Sequence, residues 1–178
     1  MMSTYPAIRI VLLILLWPGL AFSAEDYEKF FGQYHGETID SSTGKDVKRN
    51  LDVTVKKVKK GFNVSWETTT IKSDGRIKTK AYSINFIPSE RDHIYSSAMK
   101  TNLFGGQQAL DPLKGDPYVW ARISGDTLTM HALVINDEGG FEMQTFDRTL
   151  VEGGLRLNFT RIGDGHELKR IETELKRQ

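Results

Sequence analysis

YVWARI (118–123), TLTMHALVI (127–135), FEMQTFDRTL (141–150), LRLNFTRI (155–162) and HELKRIETEL (166–175) follow one another with only SGD, NDEGG, VEGG and GDG between them. Apolar and polar residues alternate inside each run, which is the period of a half-buried strand whose side chains point to opposite faces of a pleated sheet. The Gly-bearing links recur at a spacing of roughly ten residues and are too short for anything but antiparallel hairpins. Tyr118 to Leu175 therefore reads as an antiparallel meander.

Working back toward the N-terminus, Met99 to Asp116 (MKTNLFGGQQALDPLKGD) has no period of two and carries Leu103, Phe104, Leu110 and Leu113 without a strand to hold them. A long irregular insertion in a compact domain is a mobile or functional loop, or a plug that closes one end with its own apolar side chains. Ahead of it the hairpin rhythm returns. Ile94-Tyr95 suggests a brief strand, Lys78 to Phe86 a longer one with Tyr82, Ile84 and Phe86 on one face, and Pro88 ends it. Phe62, Val64 and Trp66 share one face of the preceding strand, and Leu51, Val53 and Val55 one face of the strand before that. Lys56, Lys57, Lys59 and Lys60 sit at the tip between these two strands and read as solvated turn and edge lysines, not as a nucleic-acid patch. Asp40 to Asp46 is built of turn formers, Gln33 to Ile39 continues as a first strand, and Glu25 to Phe31 predicts a short helix with Tyr27, Phe30 and Phe31 on one side.

About eight to ten strands with at most one helix make an all-β chain. An antiparallel sheet of that size must hide its edges, and closure into an up-and-down β-barrel does so completely. A two-sheet sandwich is the alternative, but it needs more long crossing links than the single one visible here.

Phe31-Gly32-x-Tyr34-x-Gly36 after a short helical turn, together with Glu152-Gly153-Gly154-Leu155-x-Leu157 and the Gly163-Asp164-Gly165 turn near the C-terminus, resembles the two ends of the calycins, the lipocalins and fatty-acid-binding proteins. That resemblance implies a small calycin-like barrel whose interior holds an apolar ligand. Where the fatty-acid-binding proteins carry Arg followed two positions later by Tyr on the last strand to clamp a carboxylate, this chain has Arg170 and Glu172.

The N-terminus reads as a separate object. Arg9 precedes the apolar run Ile10 to Trp17, and Pro18-Gly19 and Ala21-Phe22-Ser23 follow it, which is the form of a secretory signal peptide over 1–23 with a single barrel domain over 24–178. Export to a bacterial periplasm or beyond is the expectation. No stable membrane span then remains after cleavage, since the apolar run is short for a span. The whole chain has 24 Lys and Arg against 23 Asp and Glu. Loss of Arg9 leaves the mature chain neutral, without the global field that steers proteins to nucleic acid. There is no cysteine, so no disulfide supports an exported fold. Asn63-Val64-Ser65 and Asn158-Phe159-Thr160 have the form of glycosylation acceptors.

Catalytic signatures are missing: no Cys nucleophile, no G-x-S-x-G, no H-E-x-x-H and no phosphate-binding glycine loop. His35, His93, His131 and His166 have no second His or Cys at ligand spacing, so neither a metal nor another cofactor is expected. His35 and Glu37 share a face of the first strand and form a possible proton-handling pair or a plain surface contact. Tyr118, Trp120 and Arg122 share one face of their strand, with Arg148 and Arg161 later in the meander. Pointing inward, they would hold a ligand with an acidic head by stacking and charge. Val119, Ala121 and Ile123 opposite them are as apolar as a core, which favours the outward orientation. Trp66, Tyr82, Phe104, Tyr118, Trp120, Arg122 and Arg148 are the candidate ligand contacts. The expected function is non-catalytic binding of an apolar or amphipathic, lipid-like small molecule, with residues 99–116 at the mouth. The competing expectation is an envelope module that engages a protein partner through Tyr118 and Trp120.

Overall fold

The computed structural model describes residues 26–40, 47–97, 100–101, 107–108 and 110–178. Residues 1–23, read from the sequence as a signal peptide, residues 41–46 and Phe104 lie outside the described residues.

Ten strands close into one antiparallel barrel: β1 (Gly32–Asp40), β2 (Val47–Val58), β3 (Gly61–Ile71), β4 (Ile77–Pro88), β5 (Ile94–Ser97), β8 (Tyr118–Ser124), β9 (Thr127–Ile135), β10 (Phe141–Val151), β11 (Gly154–Gly163) and β12 (His166–Arg177). The two-residue pieces β6 (Lys100–Thr101) and β7 (Gln107–Gln108) pair only with each other. Each barrel strand pairs with its sequence neighbour, except that β5 pairs across the insertion with β8 and β1 closes the ring on β12. The up-and-down reading of the sequence is therefore the observed architecture. The wall is uneven: β4 pairs with β3 along its length but with β5 only at Phe86, Ile87 and Pro88.

Because strand directions alternate, the links fall at two ends, and the two ends differ. The helix expected over Glu25 to Phe31 is a single 3-10 turn, Glu28–Phe30. It inserts Phe30 into one end of the barrel. Tyr27 packs 4.9 Å from Phe62, which in turn stacks 5.3 Å from Phe86 and meets Tyr95 edge-on at 5.1 Å. Leu128, Leu155 and Leu175 complete this fully buried plug. Polar clasps hold it from outside: Lys29 Nζ donates to the Gly125 carbonyl at 2.8 Å, Lys57 pairs with Glu28 at 3.0 Å, and His93 pairs with Asp26 at 2.6 Å. The Tyr34 hydroxyl donates to the Phe30 carbonyl and accepts from Arg177, each at 2.8 Å. The Lys72–Arg76, Asn136–Gly140 and Asp164–Gly165 links lie at the opposite end.

Outward positions of β2, β11 and β12 carry charge, as in Lys48, Asp52, Lys56, Arg156, Glu172 and Glu174, while apolar residues fill the plugged end of the interior. That is the reverse of a lipid-facing barrel. Among the described residues no helix is long and apolar enough to cross a membrane. Asn63, one of the two glycosylation-type asparagines, is buried and donates through Nδ2 to Ser83, Ile84 and Asn85, so its amide is engaged within the fold.

Candidate functional site: the barrel lumen

Beyond the aromatic plug the interior opens into a cavity of about 440 Å³. The pleat dictates what lines it. With Leu51 and Val53 facing in on β2, the same parity turns Trp66 inward on β3, Tyr82 on β4, Phe146 and Arg148 on β10, and Phe159 and Arg161 on β11. Trp66 and Tyr82 are directly opposed in the ladder and stack at 5.0 Å. Phe146 and Phe159 are opposed in the same way and sit 4.7 Å apart. The two pairs meet across the lumen, where Trp66 and Phe146 lie 5.5 Å apart.

Arg148 lies at the floor of this aromatic cage, with 1% of its surface exposed. Its guanidinium carbon stands 5.7 Å from the Trp66 ring and 5.4 Å from the Phe146 ring. One terminal nitrogen donates to the Met130 sulfur at 3.2 Å, a weak acceptor, and Nε has no partner among the described residues. Among the described residues no carboxylate lies within ion-pair distance of it. Burial pushes its pKa down to about 10, opposed by the neighbouring charge of Asp147, so at neutral pH Arg148 is still a cation. A desolvated charge with this little compensation is costly to keep. Toward the opening Arg49, Lys72, Lys78, Lys80, Arg161 and Lys169 also line the cavity, whereas Glu67 is the one carboxylate among its lining residues. In a chain of net charge +1, this is a strong local separation of sign.

The structure brings together four of the residues singled out from the sequence: Trp66, Tyr82, Arg148 and Arg161. Tyr118, Trp120 and Arg122 form a separate group on the outer wall. There Trp120 stacks 4.8 Å from His131 and 5.6 Å from Tyr118. Arg148 thus parts from the group with which the sequence associated it, and Phe104 lies outside the described residues. Sequence reasoning passed over Phe146 and Phe159, although Phe146 shares the parity of Arg148, and over the inward Lys78 and Lys80. Arg170, at the clamp position of the resemblance, faces away from the lumen and pairs with Glu167 at 2.6 Å. The buried cation at the floor of the cavity comes from β10 instead. His35 pairs with Asp52 at 2.7 Å and Glu37 with Lys48 at 2.9 Å, so the two are surface ladder contacts and do not act as one pair.

His131 is half-buried, and desolvation lowers its pKa, with Asp147 opposing and Arg122 assisting. A lowered pKa means that the unfolded chain takes up the proton first as pH falls. His131 therefore supports the fold above the usual histidine value of about 6.5, and that support is lost as pH drops through its folded pKa. His131→Asn should flatten the acid limb of stability below about pH 6.5 relative to wild type in urea titrations. Parallel curves for the two proteins would refute this.

Among the described residues no cluster of three or more His, Cys, Asp and Glu is arranged to hold a metal. Compared with protein-family models, with curated proteins and with solved structures, the chain matches none.

Proposed function

We propose that this chain is an exported, non-catalytic carrier that holds an amphipathic small molecule with an anionic head group in the barrel lumen. The observation that carries the reading is Arg148: a buried cation without a counter-ion among the described residues, at the floor of an aromatic cage that opens to one end of the barrel. A ligand carboxylate, sulfate or phosphate at the guanidinium supplies the charge-assisted hydrogen bonds that the protein leaves unmade. Trp66, Tyr82, Phe146 and Phe159 bury an apolar body. The cations nearer the opening raise the local concentration of anions and select against cationic molecules. None of the four histidines lines the cavity, and its polar groups are otherwise hydroxyls, one amide and a single carboxylate, a set suited to holding a molecule more than to transforming it. The closed antiparallel barrel with a helical turn at its N-terminal end supports the calycin-like reading. The secretory form of residues 1–23 supports export.

Titration with dodecanoate and with the uncharged dodecanol tests this. Mature wild-type protein should show a saturable change in tryptophan fluorescence with dodecanoate. Trp66→Phe should lose that response, and Trp120→Phe, altered only on the outer wall, should keep it. A response that survives Trp66→Phe, or equal affinity for acid and alcohol, would remove the lumen reading. The half-exposed Tyr118 beside Trp120 is the observation favouring a second reading, a protein contact on the outer wall of β8.

A further inference from the structure

On the outer wall near the open end, Ile39 is opposed to Lys48, Lys48 to Ile71, and Ile71 to Ile77. Directly opposed residues share a face, so these four side chains form one row across β1 to β4. Ile39 is 66% exposed and Ile77 68%. A single exposed isoleucine is ordinary, but two in register beside the mouth of a cavity are a feature. Around the same corner stand Lys72 and Arg76 in the hairpin link and, on the inner side of the mouth, the exposed Lys78 and Lys80. Glu37 neutralises Lys48 and Asp74 neutralises Arg76. Lys72, Lys78 and Lys80 are in no ion pair among the described residues.

We propose that this corner of the open end, built from the ends of β1 and β2 and the β3–β4 hairpin, docks on an anionic lipid bilayer. Exposed branched apolar side chains flanked by lysines with long apolar stems are the chemistry of an interfacial membrane site: the isoleucines enter the acyl boundary and the ammonium groups stay among the anionic head groups. Positive charge in excess over carboxylates selects an anionic bilayer over a neutral one. Docking there turns the cavity mouth toward the membrane, so an amphiphile passes between bilayer and lumen without crossing much water. That exchange role rests on the lumen reading, whereas the docking does not.

The test is flotation of the mature protein with vesicles of phosphatidylcholine alone and with phosphatidylglycerol added, at low and high salt. Wild type should float with the anionic vesicles at low salt and leave them at high salt. The double variant Ile39→Ser, Ile77→Ser should bind them about tenfold more weakly. Both substitutions point away from the lumen, so the dodecanoate titration of the variant should match wild type, and a matching urea unfolding transition shows independently that it is folded. Failure of wild type to bind anionic vesicles, or undiminished binding by the folded variant, overturns the docking. A corner that captures a protein partner but no vesicles does so as well. Dodecanoate binding reports separately on the lumen, so each reading can fall while the other stands.

Discussion

Arg148→Met should make the ligand-free protein more stable and at the same time weaken its binding of acidic amphiphiles by at least about 30-fold. Both effects come from one cause. The guanidinium is buried, its Nε has no partner among the described residues, and what it gains from the Trp66 and Phe146 faces and the Met130 sulfur is weak by comparison. Replacing a buried charge by an apolar side chain of similar length commonly stabilises by about 1–4 kcal/mol. In a domain of this size each kcal/mol moves the Tm by about 2–4 °C. Methionine adapts to the ring faces and to Met130 without leaving a polar atom behind. The binding effect has the opposite sign. Removing one partner of a buried, hydrogen-bonded charge pair costs about 2–5 kcal/mol, or roughly 30- to 5000-fold in affinity for dodecanoate. Affinity for dodecanol should hardly change.

The pH dependence follows from the same group. Its pKa is lowered to about 10 in the fold, so below that pH the buried charge weighs fully against stability. As pH rises through about 10 the native state gives up this proton before the unfolded chain does, and stability gains from that step. The advantage of Arg148→Met should therefore shrink above about pH 10, and carboxylate binding by wild type should fade over the same range. A variant less stable than wild type that still binds dodecanoate would show that Arg148 is a structural group.

Gly61→Ala should unfold the barrel or come close to it. Gly61 opens β3 with φ +101°, and a Cβ there would overlap the carbonyl oxygen of Phe86 on β4. The obstacle is backbone and cannot rotate away. Moving it would separate Phe62 from Phe86 in the aromatic plug. The expected loss exceeds about 4 kcal/mol, a size reserved for a failure of packing or backbone geometry. Gly75→Ala provides the comparison. That residue has φ +81° with nothing within 4 Å of its ideal Cβ, so the substitution meets strain alone and should cost about 1–3 kcal/mol. Urea denaturation of the two variants separates close approach from strain. Equal, mild losses would mean that β3 and β4 can part at this point without consequence.

The meander from Tyr118 was legible because alternation and Gly-bearing turns act locally, and the ladder from β8 to β12 follows from them hairpin by hairpin. The brief strand at Ile94-Tyr95 was legible for the same reason, as was the inward face of Phe62, Val64 and Trp66. Closure was an inference from edges, and the β1 to β12 contact that completes it rests on partners at opposite ends of the chain, Tyr34 with Arg177 and His35 with Lys176. The site was only half legible. Phe146-x-Arg148-x-Leu150 has one parity, and an arginine between two apolar residues on an inward face was a signal available in the sequence. Lys78 and Lys80 gave none, because lysines near a hairpin normally belong to solvent. They line a mouth only because the sheet curls around until β4 faces β10 and β11. The size of the plug was also hidden, since Phe30 reaches the barrel floor through a 3-10 turn whose direction no local pattern states.

The central claim is that Arg148 holds the anionic head of an amphiphile inside the barrel. Native mass spectrometry tests it most directly, on mature wild-type and Arg148→Met proteins purified side by side from the producing cells, with solvent extraction and identification of whatever is released. An acidic amphiphile in stoichiometric amount on wild type and none on the variant is the expected result. A wild-type protein that arrives empty, or the same uncharged lipid on both proteins, would contradict it.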